Sequence, residues 1–118
     1  MKQFTAYVKT KDGYNAVQAQ VDPAIPAVMI YRRGPRDWSA GDISIGMSYQ
    51  SKSYSSAAKA WEDIKSSDTI ARAARIKKQF WLKSFKQYHE DIIQKCIDEN
   101  NSTLYNYLTE LDKEADNV

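Results

Sequence analysis

Three arginines, Arg32, Arg33 and Arg36, stand within five positions of one another in the stretch YRRGPRDW, which runs from Tyr31 to Trp38. Gly34 and Pro35 form a turn signal between them, the proline fixing φ and removing one backbone donor. Guanidinium groups at this spacing could grip a phosphate or carboxylate through paired N–H bonds, and Trp38 could stack on a base. The plainer possibility is a surface turn in which Arg36 and Asp37 pair and Trp38 covers a sheet edge. A second basic array lies further along the chain. Arg72, Arg75, Gln79, Lys83 and Lys86 fall within a sector of about 80° at the helical period. Between Arg72 and Lys86 a helix rises roughly 21 Å, enough to follow a few phosphates spaced about 3.4 Å apart along one strand. Such a ridge orients a nucleic acid without reading its bases, unless it enters a groove. Residues 69–88 contain no acid, so no internal i,i+4 pairs quieten its charge. Ile76, Leu82 and Ile93 lie beside the cations and add an apolar component suited to a protein partner.

Catalytic patterns are sparse. His89 is the sole histidine and Cys96 the sole cysteine, too few for a zinc quartet, and no HExxH, CxxC pair or Walker loop occurs. His89 falls near the border of an apolar helical stripe, where a structural or solvated role outweighs a general base. The carboxylates Asp37 and Asp42, with Glu62 or Asp63, would be first candidates for a magnesium-dependent nuclease, provided they converge in space. Cys96 follows the apolar side and reads as a small buried hydrophobe. The expectation is a protein without catalysis, cofactor or metal.

Charge is strongly segregated along the chain. Residues 1–66 carry nine Lys/Arg against six Asp/Glu, residues 69–88 carry six cations, and residues 90–118 carry eight acids against Lys95 and Lys113. The net charge of +2 therefore conceals a dipolar molecule. No apolar run approaches the roughly 20 residues of a membrane span, and the N-terminal stretch lacks a signal-peptide pattern. One cysteine excludes an internal disulfide and fits a reducing compartment, so a cytoplasmic location is expected and the sequons at Asn100 and Asn101 carry no weight.

The elements that must position these groups follow from period and punctuation. The 118 residues suffice for one domain. Residues 3–11 and 14–21 flank Asp12–Gly13, a hairpin signal that predicts a type I′ turn. With those two as the loop, Val8 faces Val17, Ala6 faces Ala19 and Phe4 faces Val21, all on one side. Thr5, Tyr7, Lys9, Ala16, Gln18 and Gln20 form a wettable opposite side. Prolines 23 and 26 break the second strand. Residues 27–32 predict a third, central strand, a loop follows it through residues 39–41, and residues 42–49 predict a fourth strand in which Gly46 marks a bulge or a close backbone approach.

From residue 55 the period becomes helical. Helices are predicted over 55–65, with Ala57, Ala60, Trp61 and Ile64 inward; over 68–99, capped by Asp68; and over 102–114, capped by Ser102. The long helix turns Ile70, Ala74, Trp81, Phe85, Tyr88 and Ile92 to one packing stripe, and the last helix so turns Leu104, Leu108 and Leu111. The product is an α+β fold: about four antiparallel strands covered on one face by about three helices.

Function follows from the charge layout. The leading expectation is a small binding protein that engages nucleic acid or a nucleoprotein complex through Arg32, Arg33, Arg36, Trp38 and the ridge Arg72, Arg75, Gln79, Lys83 and Lys86. Two alternatives stand beside it: an accessory or inhibitory protein with a protein target, using the same surface or the acidic C-terminal helices, and a structural homo-oligomer subunit. No membrane partner is expected.

Overall fold

The first hairpin is built by β1 (Lys2–Thr10) and β2 (Gly13–Asp22), in a computed structural model that describes residues 2–49, 53–66 and 83–116. Thr10 pairs with Gly13, Val8 with Asn15, Ala6 with Val17 and Phe4 with Ala19. The register is therefore shifted by two residues from the expected one. The cause is the turn, which closes on Lys11 and Asp12 rather than on Asp12 and Gly13. Of the turn residues only Gly13 takes a positive φ, 119°, so the turn is not type I′. Thr10 Oγ1 donates to the Gly13 carbonyl at 3.0 Å and accepts from the Asp12 N–H at 3.3 Å. A slip of two preserves which face each side chain takes, so Phe4, Ala6, Val8, Val17, Ala19 and Val21 still share one core. Tyr7 departs from its wettable side. It is buried, receives a hydrogen bond from Asn101 Nδ2 at 3.2 Å and lies under Lys95 Nζ, 6.0 Å from the ring centre.

The strand β3 (Ile25–Gly34) occupies the centre of a five-stranded antiparallel sheet ordered β1-β2-β3-β4-β5, as its continuous apolarity suggests. Its neighbour β4 (Asp37–Asp42) incorporates residues 39–41, expected as loop, because Ser39, Ala40 and Gly41 pair with Tyr31, Ile30 and Met29. The expected strand over 42–49 is accordingly reduced to β5 (Met47–Ser48). Asp42 stops it: its Oδ1 accepts from the Ser44 N–H at 2.8 Å and from the Ser44 hydroxyl, a side-chain competitor for the ladder. Gly46 then takes φ 69°, and a Cβ there would lie 2.8 Å from the Tyr7 carbonyl oxygen. The Gly46 carbonyl accepts from the Lys9 N–H at 2.7 Å, so the sheet curls until β1 meets the β4–β5 turn.

Helices pack against both faces, which goes further than the single covered face expected. The first, α1 (Ala57–Ser66), begins after Ser56, whose Oγ accepts from the Lys59 N–H at 3.2 Å, an N-cap. It buries Ala60, Trp61 and Ile64 on Val28, Ile30 and Ala40. Met29 and Tyr31, the alternate side chains of β3, point into the other core with Ile92, Cys96, Leu104, Leu108 and Leu111. Those five come from α2 (Lys83–Asp98) and α3 (Ser102–Asp116). Each such Ile or Leu contributes about 1.5–3 kcal/mol of burial free energy. The predicted start of the long helix, with Asp68, Ile70, Ala74 and Trp81, lies outside the described residues.

The corner between α2 and α3 has a full set of caps. Asn100 takes φ 55°, its N–H donates to the Ile97 carbonyl at 3.2 Å, and the Asn101 N–H donates to the Cys96 carbonyl at 2.8 Å. This is the Schellman pattern, with asparagine in the left-handed position. Asn101 Oδ1 then accepts from the Leu104 N–H at 3.1 Å, so Asn101, not Ser102, caps α3. Its Nδ2 reaches back to the Thr5 carbonyl at 3.0 Å, tying the corner to β1.

Candidate binding surface

The arginine stretch is the tip of the β3–β4 hairpin. Arg32 pairs with Trp38 and Gly34 with Asp37, with one extra residue on β3. Arg33 is that residue, and a bulge re-aims its side chain. Its Nη2 reaches Asp37 Oδ1 at 3.0 Å and its Nε the same oxygen at 3.2 Å. Ser53 Oγ donates to that oxygen too, at 2.7 Å, and Ser53 followed by Arg33 holds the Asp37 carboxyl below its ordinary pKa. Arg33 is thus the cation that the turn neutralises for itself, through Asp37 rather than the Arg36–Asp37 pairing considered above.

Arg32 and Arg36 differ. Both are exposed, and among the described residues no carboxylate pairs with either. Arg32 Nε donates to the Gly34 carbonyl at 3.0 Å, which steadies the exposed side chain. Arg36 sits at φ 53°, a left-handed conformation that costs a non-glycine residue about 1–2 kcal/mol. Trp38 is half-buried against the α1 core. Its N–H donates to the Tyr54 carbonyl at 2.8 Å and its carbonyl accepts from the Tyr54 N–H at 2.9 Å. Tyr54 OH in turn donates to Asp63 of α1. The hairpin is therefore backed by Tyr54 and α1 and presents Arg32 beside Trp38, directly opposed across two strands.

The helical ridge is covered only in part. Arg72, Arg75 and Gln79 lie outside the described residues, as does the side chain of Lys83. Lys86 is exposed on α2. Ile93, placed beside the ridge by the sequence, packs against the core instead. Several other cations are engaged: Lys65 with Asp22 at 2.9 Å, Lys95 with Glu99 at 3.2 Å, Lys113 with Glu110 at 3.6 Å, and Lys9 over the Tyr88 and Tyr14 rings.

The carboxylates proposed for a metal do not gather. Among the described residues no three His, Cys, Asp or Glu side chains are placed to hold an ion. Asp37 faces Arg33 and Ser53, Asp63 faces Tyr54, and Asp42 is buried with its Oδ2 lacking a hydrogen bond. Burial raises the Asp42 pKa against the lowering effect of its Ser44 bonds. Cys96 is buried, and burial pushes its thiol up to about 11, which leaves it unreactive at neutral pH.

His89 has a role that its sequence position did not disclose. Nδ1 lies 2.9 Å from the Ser44 carbonyl oxygen and Nε2 lies 3.0 Å from Asp112 Oδ2. The Ser44 hydroxyl turns to Asp42, so this is not a nucleophilic triad. No signal in the sequence joins residues 44, 89 and 112; only the fold brings them together.

Compared with known proteins, the chain matches no family model, no curated protein and no solved structure. No helix of the described residues is long and apolar enough to cross a membrane.

Proposed function

We propose that this protein is a non-enzymatic binding module that engages nucleic acid, alone or within a nucleoprotein complex, through the β3–β4 hairpin. Arg36 carries the reading: an arginine occupies a left-handed tip position, φ 53°, where glycine or asparagine would relieve strain. A strained residue kept at an exposed tip points to use of its side chain. Arg32 and Arg36 would take phosphates, and the exposed part of Trp38 would meet a base, an arrangement that favours single strands over duplex. The basic segment of Arg72, Arg75, Gln79, Lys83 and Lys86 would add further phosphate contacts. The absence of catalysis belongs to this proposal, supported by the buried thiol of Cys96 and by the two acceptors facing the ring nitrogens of His89.

The test is fluorescence polarisation with a labelled single-stranded oligonucleotide and its duplex over a salt series. Affinity should fall steeply with salt, and Arg32→Ala with Arg36→Ala should reduce the slope by about two contacts. No binding of either probe at low salt defeats the reading.

A protein target is the second reading. Among the described residues Ile97 and Tyr105 are the exposed large apolar side chains, at 53% and 38%, and both flank the α2–α3 corner. Affinity capture from a native extract with and without nuclease separates the two: nucleic-acid binding makes capture nuclease-sensitive, a direct protein partner does not.

A further inference from the structure

We propose that His89 is a proton-operated latch that holds α3 against α2 and the β4–β5 turn, closed when the imidazole carries two protons and loosened when it carries one. Donors and acceptors decide it. A backbone carbonyl and a carboxylate can only accept, and they face the two ring nitrogens at 2.9 Å and 3.0 Å. Both bonds exist together only in the imidazolium. When the proton leaves to solvent, one nitrogen presents a lone pair to an oxygen, and one link between elements is lost.

The three elements joined are distant in sequence: Ser44 between β4 and β5, His89 on α2, and Asp112 on α3. The charged surroundings agree with a cationic ring. Asp112 faces it from α3, and Asp42 lies behind Ser44 at the end of β4. On its own helix Lys86 stands one turn earlier and Glu90 is adjacent. From the first hairpin, Lys9 lies over the Tyr88 ring at 4.6 Å, and Tyr14 OH donates to Asp91 at 3.4 Å. Burial of the half-buried ring opposes its charge, but the hydrogen bonds to Asp112 and to the Ser44 carbonyl outweigh it, aided by the Asp112 and Asp42 charges. The pKa is raised above the ordinary 6.5. A folded-state value above the unfolded one means that the latch contributes fully below pH 6.5 and is lost as pH rises through the folded value.

The only histidine gives one pair of imidazole ring signals, Hδ2 and Hε1, so its titration by NMR is unambiguous. The expected midpoint lies above 6.5. Amide exchange across Leu104 to Leu111, corrected for intrinsic chemistry, should speed up roughly tenfold on crossing that midpoint, the size of one lost charge-assisted bond. Asp112→Asn changes an exposed residue and should fold; its carboxamide can accept from the imidazolium or donate to the neutral ring, so the pH response of α3 should flatten. His89→Gln should abolish it. A midpoint at or below 6.5, exchange that follows intrinsic chemistry alone, or a pH response undiminished in Asp112→Asn overturns the proposal.

Discussion

Arg33 donates to Asp37 across the β3–β4 turn at 3.0 Å, and the same carboxylate oxygen takes the Ser53 hydroxyl at 2.7 Å. The turn therefore restrains one of its three arginines and leaves Arg32 and Arg36 unpaired by carboxylates among the described residues. Asp37→Asn removes the restraining charge. If the hairpin binds an anionic strand, affinity should rise about two- to fivefold, the scale of one exposed ion pair, as read by fluorescence polarisation. A fall in affinity would mean that Arg33 must be held by Asp37 for the surface to work.

Gly46 tests the curl of the sheet. With φ 69° and a would-be Cβ 2.8 Å from the Tyr7 carbonyl oxygen, Gly46→Ala should cost about 1–3 kcal/mol, from overpacking and backbone strain together. Urea unfolding measures this. An unchanged midpoint would show that the β4–β5 turn does not press on β1.

The two faces of the sheet should lose stability independently. Leu108→Ala on the α2–α3 side and Ile64→Ala on the α1 side should each cost about 2–5 kcal/mol. Their sum should hold in the double variant, because they share no core and distant sites add. Strong non-additivity would indicate that β3 transmits strain between the layers.

Asp42 should impose its own pH dependence. Its pKa is raised above 3.8, first by burial, so the folded protein binds a proton more readily than the unfolded chain. Its contribution is most favourable at low pH and declines as pH rises from 3.8 through the folded value. Asp42→Asn keeps an acceptor for the Ser44 N–H and carries no charge. Unfolding midpoints between pH 4 and 7 should fall less steeply in this variant and end higher than in the parent at pH 7.

Much of this architecture was legible in the residues. The alternation of Phe4, Ala6 and Val8 against Val17, Ala19 and Val21 identified one core face even though the register was off by two, because a slip of two preserves parity. The apolar run from Val28 to Tyr31 marked the central strand, since both of its faces are covered. The spacing of Ala60, Trp61 and Ile64, and of Leu104, Leu108 and Leu111, located buried helix faces. What failed depended on local side-chain competition. Asp42 interrupts a strand whose Ile43 and Ile45 alternate well, and Asn101 takes the cap from Ser102 because it also reaches β1. For the candidate site, a turn within YRRGPRDW was legible, although it closes on Pro35 and Arg36 rather than on Gly34 and Pro35, and its internal pairing was not. Arg33 is chosen over Arg36 as the partner of Asp37 by a bulge, and Ser53 is sixteen positions from Asp37.

Arg36→Gly separates binding from folding at the hairpin tip. Glycine adopts φ 53° without strain, so thermal stability should be equal or higher, by up to about 1 kcal/mol. If Arg36 is a phosphate contact, affinity for a single-stranded oligonucleotide should fall several-fold and the salt slope should drop by about one. An Arg36→Gly protein that is as stable as its parent, and binds the oligonucleotide as tightly with the same salt slope, would contradict the proposed role of the hairpin.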